Sequence, residues 1–172
     1  MDVQFLPELP TAKGFDYKIS LIHLATRLKY SEIHDHQRSE TLAQVLERAQ
    51  QRLPLFFLVF TDNQAAFTMA RTAWPERVTL FTRRCGELGI RHALLPVASP
   101  WRNGCIERSN RTDKEELFSK VVFENNDERR YQLALWELEY NTRRPHQGIG
   151  NETPMQRCAK IHPTFAATCS LN

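Results

Sequence analysis

The chain has 172 residues, 41% of them hydrophobic and 25% charged, with a formal net charge of +3. That is enough apolar material for one sizeable core, and a mildly basic balance permits a polyanionic partner without demanding one. No apolar run approaches the ~18 residues of a membrane-spanning helix, and no signal peptide is visible, which excludes a membrane-spanning reading. Cys85, Cys105, Cys158 and Cys169 form no C-x-x-C pair and no zinc-ligand spacing, so a reduced, cytoplasmic protein is expected.

In chain order, residues 3–6 read as a strand preceded only by Met1 and Asp2, and residues 8–15, with two prolines nearby and Gly14, as a turn. Residues 17–25 and 28–34 complete a three-stranded meander. His34 and His36 share one face at its end, a pattern that suits a metal pair or simply a polar strand end. Ser39 is the expected cap of a helix in which Leu42, Val45, Leu46, Ala49 and Leu53 recur at helical spacing, stopped by Pro54. That stripe is core. The unbroken run at residues 55–60 predicts a central strand buried on both faces. Asp62 then emerges just past it, at the edge where open α/β sheets bind ligands; a turn or a helix cap accounts for an Asp there equally well.

Residues 65–71 suggest a short helix and 72–77 a loop. Residues 78–88 form a helix with Phe81, Cys85 and Leu88 inward, closed by Gly89. A strand over 90–95 ends at Pro96. At 99–116 Pro100 and Asn103-Gly104 end a loop, and Asn103 suits the start of a helix running to about Val122. Glu107 falls in its first turns, where the helix dipole favours an anion, and Arg111 and Lys114 follow on the same face. A solvated amphipathic helix has this pattern; so does a helix holding a metal ion beside a phosphate backbone. Asp127 is expected to cap a further helix with Tyr131, Leu135, Trp136 and Leu138 inward. A short helix from Thr153-Pro154 to Lys160 follows, and residues 166–172 read as a frayed tail on a core of residues 1–165.

This order suggests a mixed five-stranded sheet flanked by helices. With the first and fourth strands adjacent, Asp2, Asp62 and Glu107 converge at one end of it. Three carboxylates so placed repel one another unless a cation is present, and all-oxygen ligands suit Mg²⁺ or Mn²⁺. Two such ions roughly 4 Å apart would clamp the attacking and leaving oxygens of a phosphodiester.

These residues also resemble a known family. Phe60-Thr61-Asp62-Asn63 followed by Phe67, then Leu88-Gly89-Ile90-Arg91-His92, looks like the insertion-sequence transposases of the DDE type, relatives of the retroviral integrase catalytic core. So do Ser99-Pro100-x-x-Asn103-Gly104-x-x-Glu107-Arg108-x-Asn110-Arg111, Tyr140-Asn141-x-x-Arg144-Pro145-His146-Gln147 and Thr153-Pro154. The resemblance implies a ribonuclease-H-like fold and a catalytic, metal-binding triad of Asp2, Asp62 and Glu107, with two Mg²⁺ or Mn²⁺ ions. It implies DNA as partner, both transposon ends and target, and a homo-oligomer. Asn110, Arg111 and Lys114 are expected to face the DNA, together with Asn103, Arg108, Arg143 and Arg144. The implied activity is metal-dependent phosphodiester hydrolysis and strand transfer.

Three departures from the family pattern set up the alternative of a truncated, impaired remnant that only binds DNA or partner subunits. Gln64 and Ala66 stand where the family usually has Gly and Glu, and a Gln forced to positive φ costs roughly 1 kcal/mol. Asp2 lies at the extreme N-terminus. The resemblance implies a helix-turn-helix region ahead of the core, and nothing within these 172 residues is expected to play that part. A junction resolvase on the same fold is a third reading, disfavoured by the Asn103-Gly104 and 140–146 motifs.

Overall fold

The computed structural model describes residues 1–9, 14–69, 72–74, 76–96 and 104–169. The meander forms as expected: β1 (Asp2–Leu6), β2 (Asp16–Ile22) and β3 (Lys29–His34) pair antiparallel, with Asp2 opposite Ser20 and Tyr17 opposite His34. Helix α1 (Ser39–Arg52) covers it, with Leu42, Val45, Leu46 and Ala49 fully buried. Arg38, not Ser39, is its cap; the Ser39 hydroxyl instead accepts from the Phe81 backbone N–H at 2.8 Å. That bond ties α1 to the start of α2 (Leu80–Glu87), which Thr79 caps through the Thr82 N–H. Phe81 and Cys85 drive α2 into the same core, Phe81 meeting Phe67 edge-on at 5.0 Å.

β4 (Leu58–Thr61) and β5 (Arg91–Leu94) pair in parallel, Leu58 opposite Arg91. The five strands therefore lie in two sheets, three and two strands wide, and not in one five-stranded sheet. The seam between them is crossed where the backbone nitrogen of Met1 donates to the Phe60 carbonyl at 2.7 Å. The apolar run is also not buried on both faces. Val59 and Thr61 are covered, but Leu55 and Phe57 are about two-thirds exposed and precede the ordered strand, which begins at Leu58. Residues 65–71 do not form the expected helix: Phe67 and Thr68 both donate to the Gln64 carbonyl, a single turn, and the last two residues lie outside the described set.

Helix α3 (Gly104–Asp113) passes into a π-helical turn over Lys114–Phe118 and ends near Lys120, short of Val122. Helix α4 (Asn126–Thr142) is capped by Asn125, whose side chain accepts the Glu128 N–H at 2.9 Å, and not by Asp127. Its buried face carries Arg129, Leu133 and Tyr140, while Tyr131, Leu135 and Leu138 are exposed. Arg129 sets that phase, donating to Asp16 at 3.1 Å and to the Pro7 carbonyl at 2.8 Å. Of the four residues expected inward only Trp136 packs against the core, because a buried, paired arginine occupies the inward face that apolar periodicity alone does not pick out. Leu133 joins Leu6, Leu9, Ile33, Leu117 and Phe123 in a second apolar cluster. Helix α5 (Pro154–Ile161) opens on a capping box between Thr153 and Gln156. Helix α6 (Pro163–Cys169) with buried Ala166 continues where fraying was expected. Among the described residues no helix is long and apolar enough to cross a membrane.

Candidate metal and nucleic-acid site

Helix α3 organises the site by dividing its faces. Ile106, Ser109, Thr112 and Asp113 form its buried side. On another face Glu107, Asn110, Arg111 and Lys114 line a groove of about 550 Å³ whose other walls include Asp2, Val3 and Gln4 of β1, with Glu115 and Ser119 at the π-helical end. The Asn110 amide donates to Asp2 Oδ2 at 2.6 Å. Asp2 is thus held toward α3 by a donor that favours its charged form.

Asp62 comes off the C-terminal end of β4, where its Oδ1 accepts the Gln64 N–H at 3.0 Å. Asn63 locks the same corner by donating to the Leu95 carbonyl at 2.8 Å. Gln64 does not lie in the left-handed region, so the strain expected there is not incurred. Burial pushes the Asp2 carboxyl above its ordinary range; the N-terminal ammonium pulls it down, and the charge of Asp62 pushes it up again. The Met1–Phe60 bond sets the strand ends that carry Asp2 and Asp62 side by side across the seam. Two neighbouring carboxylates with hard oxygen donors fit a divalent cation in their chemistry. Among the described residues, however, no three Asp, Glu, His or Cys side chains stand together closely enough to hold a metal ion.

The structure separates the expected DNA-facing residues. Asn110, Arg111 and Lys114 share the groove, with Asn110 committed to Asp2. Arg108 and Arg144 line a different cavity, and Arg144 makes a two-pronged contact with Glu116, its shortest arm 2.6 Å. Arg143 is exposed and pairs with Glu139 at 3.3 Å. Asn103 lies outside the described residues, as does the 99–100 part of its motif. His34 turns to Glu32 at 2.8 Å and His36 to Thr41 at 3.1 Å, each taken up by a polar partner.

Behind α3 lies a cluster that motif reading misses. The Lys18 and Lys29 ammonium groups both bond the Asp113 carboxylate, and these side chains have essentially no solvent exposure. The Trp136 indole donates to the same carboxylate at 2.7 Å, and Lys29 lies 3.9 Å from the centre of the Tyr140 ring. Burial lowers both lysines, with Asp113 opposing; burial likewise works against the Asp113 charge, yet the two ammoniums hold its carboxyl below the usual range. The available signal was a lysine inside each of two strands, where a charge is found only if paired. The cluster pins the C-terminal end of α3 to the meander and so fixes which face turns to the groove.

Residues 88–154 match the integrase core domain family. Over 102 residues the chain is 31% identical to an uncharacterised 39.2 kDa protein of the insertion element IS476 from Xanthomonas euvesicatoria, a match covering 59% of this chain and 27% of that protein. The chain thus spans about a quarter of that relative's length. In fold it is similar to a chain of the simian T-cell lymphotropic virus intasome in complex with PP2A regulatory subunit B56 gamma (TM-score 0.70, 17% identity, 90% of this chain and 52% of that one). It is likewise similar to the HTLV-2 integrase catalytic core in complex with magnesium, solved in a trimeric form (TM-score 0.66, 15% identity, covering 90% and 92%) and a dimeric form (TM-score 0.65). The resemblance carried by the motifs is therefore borne out: this chain has the α/β fold of the integrase catalytic cores, and its residues 88–154 match the integrase core domain family.

Proposed function

We propose that the chain is the catalytic core of a metal-dependent polynucleotidyl transferase that hydrolyses a phosphodiester at a transposon end and joins the 3′-hydroxyl to target DNA. The observation that carries this reading is the groove itself. Asp2, oriented by Asn110, faces Glu107 across it, Asp62 stands within electrostatic reach, and Arg111 and Lys114 supply positive charge along the same wall. Asp2, Asp62 and Glu107 would hold Mg²⁺ or Mn²⁺, which when bound activates the attacking hydroxyl and stabilises the departing oxyanion. Asn110 aims the Asp2 carboxylate and favours its charged form against burial, and Arg111 and Lys114 seat the phosphate backbone. A second copy of the chain is the further partner this reading includes, and we place its contact on the exposed apolar stripe Tyr131, Leu135 and Leu138 of α4.

The test is preprocessed end DNA with Mn²⁺, comparing the chain with Asp62→Asn. Strand-transfer product is expected from the first and its loss by two orders of magnitude or more from the second, the scale on which removal of a single catalytic group acts. Equal product from both would refute the assignment.

A non-catalytic remnant is the second reading, and the absence of a three-carboxylate cluster among the described residues favours it. Metal titration separates the two. On the catalytic reading Mn²⁺ raises the melting temperature, since an ion that binds only the folded chain stabilises it, and Glu107→Gln removes most of that rise. A melting temperature indifferent to Mn²⁺ supports the remnant.

A further inference from the structure

Arg27, Arg108 and Arg144 come from three separate segments: the tip of the β2–β3 hairpin, the middle of α3 and the loop after α4. They line one cavity of about 580 Å³, on a face of α3 turned away from the carboxylate groove. Tyr140, His146 and Thr112 are among the other lining residues, and none of the described lining residues is acidic. Glu116 answers the Arg144 charge from outside the cavity, whereas Arg27 and Arg108 bring positive charge that no carboxylate of the described lining offsets, so the arrangement favours an anion between them.

Two details show that the cavity is organised. Arg144 is braced from outside by Glu116 through Nε and Nη2, which fixes its plane. Arg27 holds a left-handed backbone (φ 65°) that side-chain-bearing residues seldom adopt, and its Nη1 reaches the Cys105 sulfur on α3 at 2.7 Å. A Gly or Asn would sit in that turn with less strain, roughly 1 kcal/mol less. An arginine kept at that cost, aimed across at α3, indicates that the guanidinium has a use. Planar guanidinium forks match phosphate oxygens.

We propose that this cavity is a second phosphate-binding site, which takes a backbone phosphodiester of a DNA strand through Arg27, Arg108 and Arg144. It rests on the reading of the chain as DNA-binding but not on its catalytic activity. α3 then lies between two polyanion contacts: the groove of Glu107, Arg111 and Lys114 on one side and the arginine cavity on the other.

The test is the salt dependence of binding to a labelled duplex by fluorescence anisotropy, for the full chain, for Arg27→Asn/Arg108→Gln and for Lys114→Gln. Asn tolerates the left-handed turn, and Arg108 is exposed, so both substitutions leave the fold intact; a melting curve checks this, and Arg108→Gln alone serves if the pair fails it. Each phosphate contact contributes about −0.9 to the log–log slope. The cavity holds one phosphate, so the paired variant is expected to flatten the slope by about 1 and Lys114→Gln by about 1, the two changes adding. An unchanged slope in the paired variant, or in Arg108→Gln alone, overturns the proposal. Inorganic phosphate provides the second arm: if it raises the melting temperature of the chain and not of the paired variant while the DNA slope stays the same, the cavity serves a free anion and the nucleic-acid assignment is wrong. Absence of strand-transfer product in the Mn²⁺ assay would count against the catalytic reading only, because the slope comparison needs no turnover.

Discussion

Asp113 answers two ammonium groups with one carboxylate in a site closed to solvent. Removing its charge leaves Lys18 and Lys29 buried without a counter-ion, so Asp113→Asn is expected to destabilise the chain by roughly 3–5 kcal/mol; the urea midpoint reads the change. His92 gives a second, pH-dependent expectation. Its ring lies between Thr61 and Thr82, 2.8 Å from each hydroxyl. Burial lowers its pKa from 6.5 to about 4. The unfolded chain therefore takes up a proton below about pH 6.5 that the folded chain refuses until about pH 4, and stability declines as pH falls through that window. Urea midpoints at pH 7.5 and 5 should differ less in His92→Gln than in the parent chain. The sequence exposes Asp62 and Glu107 because each stands at the end of an element, where a lone acid invites a question. Asp113 is hidden: between Thr112 and Lys114 it looks like one more charge on a wet helix, and its lysine partners are more than eighty residues away.

The elements show where periodicity succeeds and where it misleads. The α1 stripe was legible because every apolar residue at helical spacing is core. The phase of α4 was not, because its inward positions include an arginine and its outward ones Tyr131, Leu135 and Leu138. Those three cover one exposed face, and Leu135→Glu tests whether a second copy uses it. Sedimentation velocity should show the parent chain heavier than a monomer and the variant shifted toward one; identical profiles would remove α4 as the contact. β4 misled for a different reason, since an unbroken apolar run implies burial on both faces only when packed layers cover both faces of its sheet, and here the run's first residues precede the strand. The winding of α3 into a π-helical turn at Lys114 has no signature in composition. Such turns cluster at functional sites, and here it brings Glu115 and Ser119 into the groove lining beside Lys114.

At the scale of the whole molecule, the order of strands and helices was readable and the division into two sheets was not, since the register between β1 and β4 is a matter of tertiary contact and leaves no local pattern. The division has a consequence for the carboxylates. Asp2 belongs to one sheet and Asp62 to the other, and Met1 to Phe60 is the bond that joins them at that point. A divalent ion gripped by both side chains would be a cross-tie between halves that share no ladder. Its affinity would carry the free energy of drawing the halves to a common spacing, and by thermodynamic reciprocity the ion would return that free energy as cohesion. Loosening the junction at a residue that touches no ligand would then weaken the ion, and saturating the ion would slow the opening of the junction.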